Sequence, residues 1–245
     1  ITSPFDRDYR NNELAALKKP VAERTLDAVA LVRTTLMAGF TTVQSVGAMS
    51  DKPLRDAINR GVLPGPRILS SLGQISNATW TPEQIRDDIR KKKAAGADLI
   101  KVFASLSIRD GGAPTMSQAQ MDAACGEANA LGLRTLVHAH SAESMLRSAR
   151  AKCTQVEHGG LADAAALKAL ADAGIYFDPN IGLVTQNYLE NKPRYLGIGN
   201  YTEEGFASME KALALRGPMF AQALKTPVPV SAKRLAKMWQ SIRAR

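Results

Sequence analysis

The chain has 245 residues, of which 45% are hydrophobic and only 5% aromatic, enough apolar sequence for one large domain or two small ones. We find no apolar run of membrane-spanning length and no signal-peptide pattern. The formal net charge is +9, but five of those charges lie in residues 231–245, which contain no acid. We therefore interpret this segment as a solvated basic tail and not as a nucleic-acid site.

One pattern recurs along the chain and predicts an α/β fold. A stretch with helical periodicity ends at a glycine, and a β-branched or apolar run follows within a few residues. The first copy covers residues 26–46, where a helical pattern stops at Gly39 and a strand is predicted over 41–46. Later copies stop at Gly96, Gly132 and Gly174. Helix, glycine and strand in repetition are typical of βα units with a parallel sheet.

Seven strands are predicted in chain order. They cover residues 41–46, 67–72, 98–104, 135–141, 153–158, 175–179 and, weakened by two prolines, 226–230. Their spacing of about 20 to 35 residues favours a (β/α)8 TIM barrel, or most of one. The competing doubly wound sheet usually carries a glycine-rich phosphate-binding turn after its first strand, and "SVGAMSDKP" does not match it. Residues 180–202 lack periodicity and are predicted to form a long loop, on the surface or over an active-site mouth.

All three histidines of the chain, His138, His140 and His158, fall at the ends of predicted strands. In a parallel barrel, the chemistry lies at the carboxyl ends of the strands. Strand alternation puts His138 and His140 on one face, and it puts His158 on the face opposite Glu157. Lys101, in the middle of the apolar strand "DLIKVFA", is predicted to point to the same mouth as His138 and His158.

These residue types indicate a metal site. Neutral imidazole is a common ligand of zinc. An ammonium cannot bind a metal, but the neutral amine of a buried lysine can add carbon dioxide and form a carbamate that bridges two metals. For a single histidine, a hydrogen-bonded group of the core or of a loop is the favoured interpretation, whereas the set of three residues at strand ends favours metal binding. A Schiff-base lyase that uses Lys101 and no metal remains a second chemistry, although it gives the histidines less to do.

Five segments, in order between about residues 26 and 180, carry a resemblance to a known family. They are "LMAGFTTVQSVG", "LRDAINRGVLPGPRIL", "AAGADLIKVFAS", "LGLRTLVHAHSAESM" and "VEHGGLADAAALKALADAGIYFDP". The chain resembles the metal-dependent amidohydrolase superfamily, in particular the branch of imidazolonepropionase-like enzymes and zinc-dependent Xaa-Pro or Xaa-Arg dipeptidases.

The resemblance implies a (β/α)8 barrel with one or two divalent metals, expected to be zinc, at its mouth. Lys101 matches the carboxylated lysine of the family's fourth strand, and His138 and His158 match the ligands of its fifth and sixth strands. The implied reaction is hydrolysis of a carbon–nitrogen bond by a water molecule that the metals activate. A dipeptide or N-acyl amino acid is the expected kind of substrate.

Further residues are predicted to contact the substrate. The loop "SLSIRDGGAPTMS" would line the pocket, with Arg109 and His140 as substrate-binding residues. We expect a small-molecule substrate and no nucleic-acid or membrane partner, and we leave a homo-oligomer open.

Two elements of the family pattern are missing. There is no His-x-His pair before His138, and the opening "ITSPFDRDYRNN" resembles the segment that follows this pair. No aspartate follows Asp178, where the family has one in a Gly-Thr-Asp context. We therefore expect a partial barrel domain over residues 1–230, open at strand one, followed by an atypical tail over 231–245. Two hypotheses follow: the central part of a catalytic amidohydrolase, or a non-catalytic fragment or decayed product.

Overall fold

The computed structural model describes residues 19–48, 50–180 and 184–230. The strands are β1 (Thr42–Ser45), β2 (Arg67–Ser70), β3 (Gln74–Ile75), β4 (Leu99–Phe103), β5 (Arg134–Ser141), β6 (Gln155–Leu161) and β7 (Tyr176–Asp178). The helices are α1 (Val21–Met37), α2 (Asp51–Asn59), α3 (Pro82–Ala94), α4 (Gln118–Ala130), α5 (Ala142–Arg150), α6 (Ala164–Asp172), α7 (Val184–Glu190), α8 (Lys192–Tyr195) and α9 (Glu203–Lys225). The opening segment "ITSPFDRDYRNN" and the basic tail 231–245 lie outside the described residues, so the predictions for them, and the domain bounds 1–230, stay predictions.

The strands confirm an α/β fold with parallel pairing. Strands β1 and β2 form one parallel sheet, and a second sheet has the order β3-β4-β5-β6-β7, with parallel pairs β5–β6 and β6–β7. Among the described residues the strands form these two sheets and do not close a barrel, as an incomplete barrel predicts.

Six of the seven predicted strands are present, and the seventh is reduced to a single contact. Val230 forms an isolated parallel bridge with Phe177, whose backbone N–H donates to the carbonyl of Pro229 at 2.9 Å. The two prolines of "TPVPV" lack N–H groups, which explains why this segment pairs so little. The short strand β3 was not predicted.

The chain divides into two compact units, and the first comprises residues 1–74 and 90–101. Its core is formed by Ala28, Val32, Leu54 and Ile68, all buried. A polar network fixes the start of β4: Nη1 of Arg55 lies 2.6 Å from Oδ2 of Asp98, and the same oxygen accepts the backbone N–H of Ser70 at 2.9 Å.

The second unit comprises residues 75–89 and 102–245 and holds most of the larger sheet. Val137, Val156 and Phe177 are fully buried at the centre of β5, β6 and β7. Ser141 is the last residue of β5 and also the N-cap of α5, since its hydroxyl accepts the backbone N–H of Ser144 at 3.3 Å. Asp163 caps α6 in the same way, so both strands turn into their helices through very short connections.

A disulfide in the second unit joins Cys125 of α4 to Cys153, two residues before β6, with Cα atoms 5.0 Å apart. Both cysteines are buried. The sequence did not reveal this pair, because 28 residues separate the two cysteines and their spacing matches no motif.

The loop predicted over residues 180–202 is wrong for residues 184–190 and 192–195, which are helical. Its described part contains α7 and α8, which pack through aromatic rings. The rings of Tyr188, Tyr195 and Tyr201 lie with centroids 5.0 to 5.5 Å apart, and Phe206 of α9 extends the cluster. These contacts between residues distant in sequence are not visible as a helical period. In the part of the chain that the structure describes, every helix is too short or too polar to cross a bilayer.

Candidate metal centre

Three histidines of the second unit come together, two from β5 and one from the middle of β6. The ring centroids of His138, His140 and His158 are 4.5 to 4.9 Å apart, and one nitrogen from each ring lies within 4.8 Å of the others. The structure thus brings together His138 and His158, the two predicted ligands, and adds His140, which the sequence analysis assigned to the substrate.

Strand β5 places two of the rings by simple alternation. His138 and His140 are both 8% exposed, two residues apart on one face of the strand. The backbone around them is fixed by the segment after β4, because Ala104 N–H donates to the His138 carbonyl at 2.9 Å and His140 N–H donates to Oγ of Ser105 at 3.0 Å.

For β6 the predicted alternation was wrong, although the rings of His158 and His138 lie with centroids 4.5 Å apart. The parallel register pairs His138 with Glu157, so Glu157 and not His158 has the strand parity of His138. His158 instead has a φ of +80°, a left-handed conformation that is uncommon outside glycine and that turns its ring toward His138. Gly159 follows with a φ of +56°, and a Cβ there would lie 2.6 Å from the ring of Phe177.

Hydrogen bonds orient two of the rings. Nε2 of His138 lies 3.2 Å from the Leu106 carbonyl oxygen, so Nε2–H donates and Nδ1 carries the lone pair. Nδ1 of His158 lies 2.6 Å from the side-chain nitrogen of Asn180. An amide can donate through its nitrogen or, after a flip, accept through its oxygen, so this contact serves either tautomer and leaves Nε2 as the ligand atom.

The ring of His140 carries a buried nitrogen that is available to bind a cation. Its Nδ1 is buried and has no hydrogen-bond partner among the described residues. Burial, followed by the neighbouring His138 and Arg109, lowers the pKa of His140 from 6.5 to about 3, so the ring is neutral at physiological pH. Gly112, with a φ of +68°, lets the backbone approach this ring, since a Cβ there would lie 2.8 Å from Cβ of His140.

The donor set fits a divalent metal. Three neutral imidazoles with converging nitrogens, one of them an orphaned buried atom, are suited to zinc. The three ligand nitrogens lie within 4.8 Å of one another. For all three to bind one zinc ion at a Zn–N distance of about 2.0–2.1 Å, the side chains must move by on the order of 1 Å.

Lys101 is the last residue of the first unit, and it is 3% exposed within β4. The burial of the strand "DLIKVFA" is confirmed, since Leu99, Ile100 and Val102 are fully buried around the lysine. The place of Lys101 beside the histidines stays a prediction.

A cavity of about 60 Å³ adjoins the histidines. His140 and His158 form one wall, and Ala212, Leu213, Arg216 and Met219 of α9 form another. The remaining wall residues come from β6, from the segments after β4 and β7, and from α7, namely Ile108, Gly160, Pro179, Asn180 and Thr185. Sequence analysis missed Arg216 and Asn180. The position of Asn180 just after a predicted strand was a usable signal, whereas Arg216 reaches the cavity only because of how α9 packs.

Arg109, predicted to bind substrate, makes structural contacts. Its Nε donates to Oδ1 of Asn200 at 2.8 Å, and its guanidinium lies 4.3 Å from the centre of the Tyr201 ring. Asn200 also donates to Asp110 at 2.7 Å. These contacts connect the segment after β4 to the start of α9, and they place Ile108 in the cavity wall. A substrate contact of Arg109 stays a prediction.

Comparison with solved structures gives the same fold. A Xaa-Pro dipeptidase with bound methionine in its active site is 26% identical, with a TM-score of 0.72, over 87% of this chain and 60% of the other. A prolidase complexed with N-methylphosphonate-L-proline is 22% identical, with a TM-score of 0.75 over 88% and 59%. Ochratoxinase from A. niger is 19% identical, with a TM-score of 0.76 over 92% and 59%.

The chain thus spans about 60% of the length of the solved structures it resembles. No curated protein matches the sequence at a significant level. The sequence profile described as the Amidohydrolase family matches residues 20–217, which is most of the chain. The chain therefore belongs to the amidohydrolase family.

Proposed function

We propose that this chain is the central part of a metal-dependent hydrolase that cleaves a carbon–nitrogen bond in a small substrate. The single observation that carries the proposal is the buried Nδ1 of His140, which has no hydrogen-bond partner in the described part of the chain and lies beside two further imidazoles. In a member of the amidohydrolase family, such a converging set of neutral nitrogens is best explained as a cation site.

Within this proposal, His138, His140 and His158 hold a divalent metal, expected to be zinc, and Lys101 contributes as a carbamate to a second position. The metal supplies Lewis acidity toward a carbonyl oxygen and acidifies water when it is bound. Leu106 and Asn180 keep the rings of His138 and His158 in place through their hydrogen bonds. The apolar wall formed by Ile108, Leu213 and Met219 limits water around the reacting carbonyl.

A dipeptide or an N-acyl amino acid is the proposed substrate, because one cavity is lined both by histidines of the cluster and by the cationic side chain of Arg216. Arg216 lines the same cavity as His140 and His158, and a guanidinium is suited to bind a carboxylate. The carboxylate of the substrate would then be held by Arg216 while the amide carbonyl lies at the histidines.

The test uses the chain stripped of metal with a chelator and then reloaded with zinc. We expect hydrolysis of members of a panel of dipeptides and N-acyl amino acids in the reloaded protein and none in the stripped protein. Lys101→Gln should abolish turnover, whereas Lys168→Gln, which changes an exposed lysine of α6, should retain it. Stoichiometric zinc without turnover on any substrate would support the non-catalytic alternative. An adduct on Lys101 trapped by borohydride would favour a Schiff-base lyase instead.

A further inference from the structure

A second and larger cavity lies directly beside the histidine cavity. It has a volume of about 320 Å³, within the range of small-molecule sites. Gly160 and Met219 line both cavities, so the two spaces are neighbours that share these wall residues. The larger one is a groove between α9 and the segment that leads from β6 into α6, and we call it the α9 groove.

The walls of the α9 groove are mostly apolar. Leu161, Ala162, Ala164 and Leu167 come from the β6–α6 side, and Leu215, Pro218 and Met219 come from α9. Leu167 is fully buried beneath the groove, whereas Leu215 is 44% exposed at its rim. The one acid in the wall, Asp163, accepts the backbone N–H of Ala166 at 2.7 Å as the cap of α6. The groove therefore offers apolar surface and little charge.

Two neighbouring faces of α9 line different cavities: one face lines the histidine cavity and the other lines the α9 groove. Ala212 and Arg216 line only the histidine cavity, and Leu215 and Pro218 line only the groove. Met219 lies on the boundary and faces both. The histidine cavity is thus lined by a cation, and the neighbouring groove is lined by apolar side chains.

We propose that the α9 groove binds the apolar acyl group of the substrate and so selects N-acyl amino acids, or dipeptides, with a bulky apolar group on the acyl side of the cleaved bond. The assignment rests on the proposed function, because it takes the scissile amide to lie at the histidines. The carboxylate and the acyl group lie on opposite sides of that amide. With Arg216 facing the carboxylate, the groove is left for the acyl group.

The test measures binding to metal-free protein by titration calorimetry, with N-acetylglycine, N-butanoylglycine and N-hexanoylglycine as probes. Burial of each added methylene should tighten binding about threefold to fourfold. Leu215→Asp places a charge at the groove rim and should remove this dependence on chain length. Leu224→Asp is the matched control, since Leu224 is a 37% exposed leucine of the same helix outside the groove, and it should behave like the unchanged protein.

A second variant keeps the test valid if Leu215→Asp does not fold. Ala164→Leu fills the groove from the exposed first residue of α6 and should weaken N-hexanoylglycine binding severalfold while leaving N-acetylglycine binding unchanged. Equal affinity for all three probes in the unchanged protein would overturn the assignment, as would a chain-length dependence that both groove variants retain. Chain-length-dependent binding without hydrolysis by zinc-loaded protein would support the groove and count against the proposed function. Hydrolysis without chain-length dependence would overturn only the groove.

Discussion

The side-chain amide of Asn180 lies 2.6 Å from Nδ1 of His158, the histidine whose backbone has a left-handed φ. The contact joins the middle of β6 to a residue two positions beyond the end of β7. A ring held by one nitrogen presents the other in a fixed direction, which is how hydrogen-bonded groups around a metal site orient its ligands.

Asn180→Ala should therefore weaken zinc binding about 10- to 100-fold, because the His158 ring loses the contact that orients it. Competition with a chromophoric chelator measures the affinity. Asn129→Ala removes an exposed asparagine of α4 that bonds only to the Lys152 carbonyl, and it should leave the affinity unchanged. Identical affinities for the two variants would show that Asn180 does not orient the ring.

The pKa of His140, lowered to about 3 by burial, predicts a dependence of stability on pH in metal-free protein. The unfolded chain protonates this ring near pH 6.5, and the folded chain does so only near pH 3. Stability from this residue is therefore complete above pH 6.5 and falls as the pH drops toward 3, by roughly 3–5 kcal/mol at most.

The measurement for His140 is urea unfolding of the metal-free protein at several pH values between 7 and 4. His140→Gln, which does not titrate, should give a flatter dependence of the unfolding free energy on pH than the unchanged protein. Parallel curves for the two proteins would contradict the buried neutral state of the ring.

The Cys125–Cys153 disulfide closes a loop of 28 residues, and loop-closure entropy predicts about 3–4 kcal/mol of stabilisation. Replacing both cysteines by alanine should lower the unfolding free energy by that order. Dithiothreitol should destabilise the unchanged protein and leave the double variant as it was. Two free thiols titrated in protein unfolded without reductant would show that the bond does not form.

Truncation of Arg216 should weaken substrate binding, whereas truncation of Arg109 should lower the stability of the fold. Arg216→Met should raise the KM for N-acyl amino acids at least tenfold, since it removes the cation of the cavity wall that we propose to bind the substrate carboxylate. The same change should leave turnover of the corresponding carboxamides unaltered. A similar loss for both substrate types would remove Arg216 from carboxylate recognition.

Arg109→Met should act on stability, with a loss of about 1–2 kcal/mol, because it removes the bond to Asn200 and the stacking on Tyr201. Thermal unfolding of this variant and of Asn200→Ala, alone and combined, measures the coupling. Additive losses would show that the two side chains do not act together.

The sequence was sufficient for six of the strands and for the helices of the repeated pattern, because each of these βα units carries its own periodicity and its own glycine stop. It failed where structure depends on contacts between distant residues. The helices within 180–202 depend on packing between tyrosines, which the periodicity of the sequence does not show. Val230 pairs with β7 although the two prolines of the segment 226–230 weaken it as a strand.

The candidate site was predicted in part for the same reason. His138 and His140 follow from alternation within one strand, which is local information. His158 required a backbone conformation that alternation does not contain, and Arg216 required the packing of α9 against β6. The role of His140 in the cluster became visible only through its burial and its unpaired Nδ1.

We propose that the three histidines bind a metal. Cobalt substitution tests this binding, because Co²⁺ bound to nitrogen ligands absorbs visible light. The chain, stripped of metal and titrated with Co²⁺, should show visible absorption that saturates at a stoichiometric ratio of cobalt to chain and that zinc displaces. His140→Ala and His158→Ala should abolish or greatly weaken this signal. A folded protein that binds no cobalt, or that binds it equally well without these histidines, would contradict the account.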